Sequence, residues 1–195
     1  MLFRSIFCML IETITKIVNK YKKIGVFVSG GFDSGMLLYI LNLVKKDNEI
    51  EVFVINRHPK SLEHAQPVID FVSNRLNVKS HTHLLKSYGI EDYTVPHAIS
   101  VVMSRHNLDV VLVGCVKPPE HLELSNKVLK STMSKIQQPF FEITKDVLVQ
   151  EAKELGVLEL IDISNSCERS YHNPCMQCFH CLEKDWAIKQ VFNTP

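Results

Sequence analysis

A parallel α/β fold, one sheet with helices on both of its faces, is what this sequence predicts, and three observations predict it. Short apolar runs recur at Ile24–Val28, Glu51–Ile55 and Asp109–Cys115. Segments with helical spacing separate them, which is the alternation expected of parallel strands joined by crossover helices. A Gly-Gly turn joins the first run directly to a helix, as strand–turn–helix units require.

Each element has its own reason. Leu2, Phe3, Ile6, Phe7, Met9, Leu10 and Ile11 resemble a signal-peptide core, but Arg4 and Glu12 interrupt the run and no small-residue cleavage site follows. The pattern continues through Ile14, Ile17, Val18 and Tyr21 at helical spacing, so an amphipathic docking helix is expected. Ile24-Gly25-Val26-Phe27-Val28 reads as a buried strand, and Gly35 to Val44, apolar almost all round, as a central helix. Glu51–Ile55 is the second strand. His64–Leu76 and His97–His106 read as helices, and Val110-Val111-Leu112-Val113 forms a third strand ending at Gly114. Pro118–Gln138 is polar and without a period, which predicts a mobile loop over the site. Thr144 is placed to N-cap a helix through Val147, Leu148, Ala152 and Leu155, with Gly156 as its stop. A short closing helix carries Trp186, Ile188 and Val191.

Length and composition bound the rest. A chain of 195 residues with 46% hydrophobic residues buries a core without staples and reads as a single domain, 1–195. Lys and Arg number 22 against 21 Asp and Glu, a net charge of +1. Bulk charge therefore does not hold it to nucleic acid or to an anionic membrane. No apolar stretch approaches the roughly 18 residues of a membrane span, and a cytoplasmic protein is expected.

Ser29-Gly30-Gly31-Phe32-Asp33-Ser34 carries the strongest chemical signal. Two glycines let backbone N–H groups approach an anion closely, and the following helix aims its positive N-terminal end at the same point. The two serine hydroxyls add donors, so phosphate can be cradled by a protein of nearly neutral charge. Asp33 beside phosphates has two sensible roles, holding Mg²⁺ or orienting the loop. The string lacks the Gly-Lys-Ser/Thr of a Walker loop and the third glycine of the dinucleotide fingerprint.

Of the six cysteines, Cys8 and Cys115 stand alone in apolar surroundings, whereas Cys167, Cys175, Cys178 and Cys181 fall within fifteen positions. Three sulfurs at three-residue steps and an earlier one to close a tetrahedron suit structural zinc, with 164–195 as a small zinc-binding segment. An iron–sulfur cluster uses the same donors. His172 and His180 read as neighbours of the four sulfurs, which suffice without them.

Ser29–Ser34 resembles the SGGxDS loop of the PP-loop, or N-type ATP pyrophosphatase, superfamily. Together with the Cys-x7-Cys-x2-Cys-x2-Cys cluster, the chain resembles the QueC family of 7-cyano-7-deazaguanine (preQ0) synthases. Arg57-His58 with Glu63 and Ala65, Tyr93-Thr94-Val95-Pro96, Val113-Gly114, Pro139, Thr144-Lys145 and Leu155-Gly156 extend the similarity from Ile24 to about Trp186. Departures fall where the base would be recognised. Val54-Ile55-Asn56 replaces Tyr-Gly-Gln, and His97-Ala98 stands where Arg-Asn follows Val-Pro. Lys117-Pro118-Pro119-Glu120-His121 replaces an acidic segment, and Glu183-Lys184 stands for an arginine after the last cysteine.

The resemblance implies a Rossmann-like sheet of the adenine nucleotide alpha hydrolase kind. It implies an ATP-dependent ligase that adenylates 7-carboxy-7-deazaguanine, forms the amide with ammonia, and dehydrates it to 7-cyano-7-deazaguanine with a second ATP. Val28, Ser29, Gly30, Gly31, Asp33, Ser34, Asn56 and Gly114 would hold nucleotide. Asp33, Ser34 and Lys145 would serve catalysis. Arg57, His58 and His97 would contact substrate, and Cys167, Cys175, Cys178 and Cys181 would bind Zn²⁺. ATP, Mg²⁺ and Zn²⁺ are the implied cofactors. The implied partners are the 7-deazaguanine substrate and ammonia, with a possible homodimer, no stable nucleic-acid complex and no membrane. Lys145 could equally be a solvated surface lysine. His97 and His121 could touch substrate or stand at the surface. Two other readings stay open: a PP-loop enzyme with another substrate (an amide-forming ligase or tRNA sulfur transferase), and a nucleotide-binding zinc module without turnover.

Overall fold

The computed structural model describes residues 2–56, 60–86, 95–122, 131, 133–167, 169–170 and 173–192. Among them five strands form one sheet: β1 (Lys23–Phe27), β2 (Glu49–Asn56), β3 (His81–Lys86), β4 (Val110–Val113) and β5 (Ile136–Gln137). The helices are α1 (Leu2–Lys20), α2 (Phe32–Val44), α3 (Ser61–Leu76), α4 (Val95–His106), α5 (Lys145–Glu154), α6 (Glu159–Ile163) and α7 (Phe179–Phe192). Strand order is β3-β2-β1-β4-β5 and every pairing is parallel. Successive strands build outward from β1 to β3, then the chain returns to place β4 on the other side of β1. That reversal makes the carboxyl ends of β1 and β4 the switch point, where open α/β sheets bind ligands.

The sheet's two-residue period divides the core. Ile24, Val26, Val52, Val54, Val110 and Leu112 face one way, into a cluster with α1, α2, α3, α5 and α6. Phe27, Phe53 and Val111 face the other, where Ala98, Ile99 and Val102 of α4 cover them. Helix α2 is central: Met36, Leu37, Leu38, Tyr39, Ile40 and Leu41 are all buried. Each such side chain contributes about 1.5–3 kcal/mol of transfer free energy. Leu10, Ile14, Ile17 and Val18 of α1 belong to the same core, so the expected docking helix packs within its own chain.

Three expectations need correction. Helix α2 begins at Phe32 rather than Gly35, with Gly31 as N-cap, so Asp33 and Ser34 lie in its first turn. β3 was not expected, because an edge strand reading His-Thr-His-Leu-Leu-Lys lacks a continuous apolar run. The polar stretch Pro118–Gln138 ends in β5, which pairs with β4 and buries Ile136, so its C-terminal part is sheet rather than loop. Residues 123–130 and 132 of that stretch lie outside the described residues. Thr144 does stand at the N-cap of α5, in extended conformation, without a side-chain cap hydrogen bond.

Candidate active site

β1 delivers the chain to the switch point and the Ser-Gly-Gly turn redirects it into α2. Gly30 has φ +84°, and a Cβ there would meet His64 O at 2.5 Å; only glycine allows both. The two serines brace this turn. Ser29 N–H donates to Ser34 Oγ (3.2 Å), Ser34 Oγ donates to Gly31 O (3.0 Å), and Gly31 N–H donates to Ser29 Oγ (3.3 Å). The hydroxyls expected to point at phosphate are thus engaged inside the loop. The first-turn amides of α2, which have no intrahelical partners, are the donors such a turn presents.

A cavity of about 350 Å³ lies at this point, lined by Val28, Ser29, Ser34, Val113, Gly114 and His180 among others. Gly114 makes it possible for β4 to end against the loop: a Cβ there would sit 2.8 Å from Asp33 O. Cys115 also lines the cavity, and burial pushes its thiol up.

Asp33 points into the protein. Its Oδ2 lies 3.2 Å from Lys145 Nζ, and its Oδ1 is buried with no hydrogen-bond partner among the described residues. Lys145, 1% exposed, is no surface lysine; its Nζ donates to Glu183 Oε2 at 2.6 Å. His180 Nδ1 stands 3.9 Å from the same Glu183 oxygen. Two carboxylates thus share one buried ammonium. Burial pushes the Asp33 carboxyl up, with Lys145 opposing it. Burial works to lower Lys145, but Asp33 and Glu183 outweigh it and hold the ammonium above its ordinary range. Burial works to raise Glu183, but His180 and Lys145 hold it below its ordinary range. A buried group with one carboxylate in excess, one of whose oxygens lacks a partner, is a donor set that a hard cation such as Mg²⁺ fits.

The segment after α6 closes over the turn. Asn165 N–H donates to Gly30 O at 2.9 Å. Lys184 Nζ, one residue beyond Glu183, donates to Ser164 O at 2.8 Å and also to Ile161 O. Four sulfurs hold this segment together. The Sγ atoms of Cys167, Cys175, Cys178 and Cys181 all lie within 4.8 Å of one another. Backbone N–H groups of Ser170 and Cys175 point at Cys167 Sγ (3.3 and 3.4 Å), and Cys178 N–H points at Cys175 Sγ (3.3 Å). The amides of Gln177 and Cys178 hold Cys175 down to about 6. Burial and the neighbouring thiols push Cys181 up to about 12. Four sulfurs so crowded, already receiving N–H donors, form a closed donor set that fits a tetrahedral zinc ion or an iron–sulfur cluster.

Other expected site residues are not brought into view. Arg57 and His58 lie outside the described residues, as do the side chains of Asn56, which ends β2, and His97, in the first turn of α4. His121 stacks obliquely on Trp186, with centroids 5.2 Å apart. Sequence reasoning named His180 as a neighbour of the sulfurs and Glu183 as a departure from the family pattern, but did not place either beside Lys145. The signal was available in part: His180 and Glu183 share one face of a helix at three-residue spacing, directly on the cysteine cluster.

No family model matches the sequence, and no curated protein matches it. Solved structures do. One is the NH3-dependent NAD synthetase from Campylobacter jejuni, at 15% identity over 80% of this chain and 76% of that chain, with a TM-score of 0.55. Another is the U34-tRNA thiolase NcsA from Methanococcus maripaludis with its 4Fe–4S cluster, at 14% identity over 95% of this chain and 74% of that one, TM-score 0.49. The fold is Rossmann-like. Its five parallel strands and covering helices have the adenine nucleotide alpha hydrolase-like form. Among the described residues, no helix is long and apolar enough to cross a membrane.

Proposed function

We propose that this chain is an ATP-dependent ligase of the PP-loop kind, and that its substrate is 7-carboxy-7-deazaguanine. The observation that carries the reading is the position of the SGGFDS turn: it sits at the sheet's switch point, beside a cavity, with the N-terminus of α2 behind it. The sequence resemblance to preQ0 synthases supplies the substrate, and likeness to an NH3-dependent synthetase agrees with ammonia as nucleophile.

In this reading the α2 amides and the turn hold the phosphates of ATP while a substrate carboxylate oxygen attacks the α-phosphorus. The bond to the bridging oxygen breaks and pyrophosphate leaves. Ammonia then attacks the acyl carbon, AMP departs with the bonding pair, and the surplus proton passes to solvent or base. With a second ATP the amide oxygen attacks the α-phosphorus and takes the adenylyl group, and a second pyrophosphate leaves. Loss of AMP and two N–H protons leaves the nitrile. Lys145 is a positioning residue: enclosed between Asp33 and Glu183, it fixes the Asp33 carboxylate at the start of α2. Mg²⁺ held by Asp33 would neutralise charge on the phosphates. Zn²⁺ held by the four cysteines would be structural, keeping Asn165 on Gly30 and presenting His180 to the cavity.

The test is incubation of the full chain with ATP, Mg²⁺, ammonia and 7-carboxy-7-deazaguanine, with AMP, pyrophosphate and deazaguanine products read by mass spectrometry. AMP with the nitrile is the expected result. AMP with amide alone shortens the reaction to its first half. AMP formed only with other acids overturns the substrate, and no pyrophosphate with any acid overturns the enzyme reading.

A further inference from the structure

At the opposite end of the sheet, near the amino ends of its strands, three side chains from three elements meet. Glu51 of β2, His83 of β3 and His106, the last residue of α4, place one donor atom each within 4.8 Å of one another. Glu51 Oε2 lies 2.7 Å from His106 Nδ1 and 3.0 Å from His83 Nε2, so both imidazoles converge on one oxygen. The other oxygen, Oε1, is taken by Lys23 Nζ at 2.9 Å. The rings are held from behind. Phe53 stacks on His83 with centroids 5.0 Å apart, and meets His106 edge-on at 4.9 Å. A polar cavity of about 520 Å³ opens in front, with Glu49, His81, Lys45 and Lys79 in its walls.

We propose that Glu51, His83 and His106 form a second metal site, distinct from the cysteine cluster, for a borderline divalent ion such as Zn²⁺. Two imidazoles and one carboxylate are a donor set such ions take, with solvent completing the shell from the open cavity. The surroundings fit a ligand set rather than a casual contact. Lys23 binds the oxygen that the metal does not need, as partners of ligating carboxylates do. Phe53 fixes both ring planes, so little side-chain freedom is lost on binding. His106 also stands at the negative end of α4, which favours a cation there. The positive charges facing the site are Lys23, Lys45 and Lys79. Glu51 and Glu49 offset two of the three, and an imidazole that ligates through a ring-nitrogen lone pair adds no charge. A bound ion would add a tie from α4 to the edge strand β3, which its backbone ladder already joins to β2.

The test uses the full chain and Zn²⁺ and Co²⁺ as probes. Zinc content after equilibration at neutral pH is expected to exceed that of the His83→Ala/His106→Ala variant by one equivalent per chain, with the cysteine-bound metal unchanged in both. Glu51→Gln is expected to weaken this second equivalent at least tenfold. Co²⁺ added to wild-type protein loaded with only one equivalent of zinc, enough to fill the four cysteines, should give visible d–d bands without sulfur-to-cobalt charge transfer, a readout that needs no variant to fold. Equal zinc content in wild type and double variant overturns the proposal, as does cobalt absorption that appears only with thiolate charge transfer.

Discussion

Lys145 and Glu183, far apart in sequence, meet as a buried ion pair at 2.6 Å, with side chains 1% and 3% exposed. Asp33, 3.2 Å from the same ammonium, couples that pair to the start of α2. The contact joins the Ser-Gly-Gly turn, α5 and α7 through one nitrogen atom.

Lys145→Met therefore leaves two carboxylates buried together without their cation. The expected cost is about 3–5 kcal/mol in urea unfolding, the range for breaking a buried pair. Glu183→Gln should cost less, since Lys145 keeps Asp33. The pH dependence has a definite sign. Lys145 is raised above its ordinary 10.5, so its contribution is whole below that pH and is lost as pH rises through the folded value. Glu183 is lowered below 4.5, so its contribution is present above that pH and is lost as pH falls through the folded value. Wild type should lose more stability at both extremes than Lys145→Met does.

Glu151 behaves in the opposite way. On α5 it is 2% exposed, its Oε1 has no partner among the described residues, and burial pushes it from 4.5 up to about 7. The folded protein holds a proton there that the unfolded chain has released, so stability falls as pH rises between those values. Glu151→Gln is expected to gain about 1–2 kcal/mol at pH 8, after allowance for solvent screening, and almost nothing at pH 5. Thermal unfolding at the two pH values measures the difference, and an equal gain at both contradicts the assignment.

What the sequence made legible follows from how each residue is used. β1, β2 and β4 are central strands, buried on both faces, and their apolar runs announce them. β3 carries His81, His83 and a 37% exposed Leu84 on a sheet edge, so its composition resembles a loop, and β5 is only two residues long. Turn and cysteine spacing marked Gly30 and Cys178 because a left-handed backbone and a tight cluster of four sulfurs each call for those residue types locally. Lys145 and Glu183 could not be read that way. Charged residues ordinarily face water, and only the tertiary packing of α5 on α7 pairs these two.

Gly30→Ala tests the turn itself. A methyl group there meets His64 O at 2.5 Å and the backbone sits at φ +84°, so either the turn or the start of α3 must shift. The expected loss is about 2 kcal/mol of stability. ATP binding, which depends on the aim of the displaced amides, should fall at least tenfold by calorimetry. Gly114→Ala should act on the same amides from the β4 side, through Asp33 O at 2.8 Å. Undiminished ATP binding in both variants would remove the turn from the nucleotide site.

Removal of the metal proposed for the four cysteines should reach the same turn by a longer path. Cys167 follows Asn165 closely, and Asn165 N–H holds Gly30 O at 2.9 Å, while Cys181 and Glu183 share the first turns of α7. Chelation, or Cys178→Ser, frees the sulfurs from one another, and the segment before α7 loses what fixes it across the loop. ATP binding should weaken at least tenfold while the sheet core stays folded, because Val26, Val52 and Leu112 do not depend on that segment. Circular dichroism reads the core, the fluorescence of Trp186 on α7 reads the segment, and calorimetry reads the nucleotide. Added Zn²⁺ should restore the fluorescence and the ATP affinity of the chelated wild type but not those of Cys178→Ser, with circular dichroism unchanged throughout. ATP affinity that ignores the metal would mean that the cysteine segment stabilises α7 alone and has no hold on the turn.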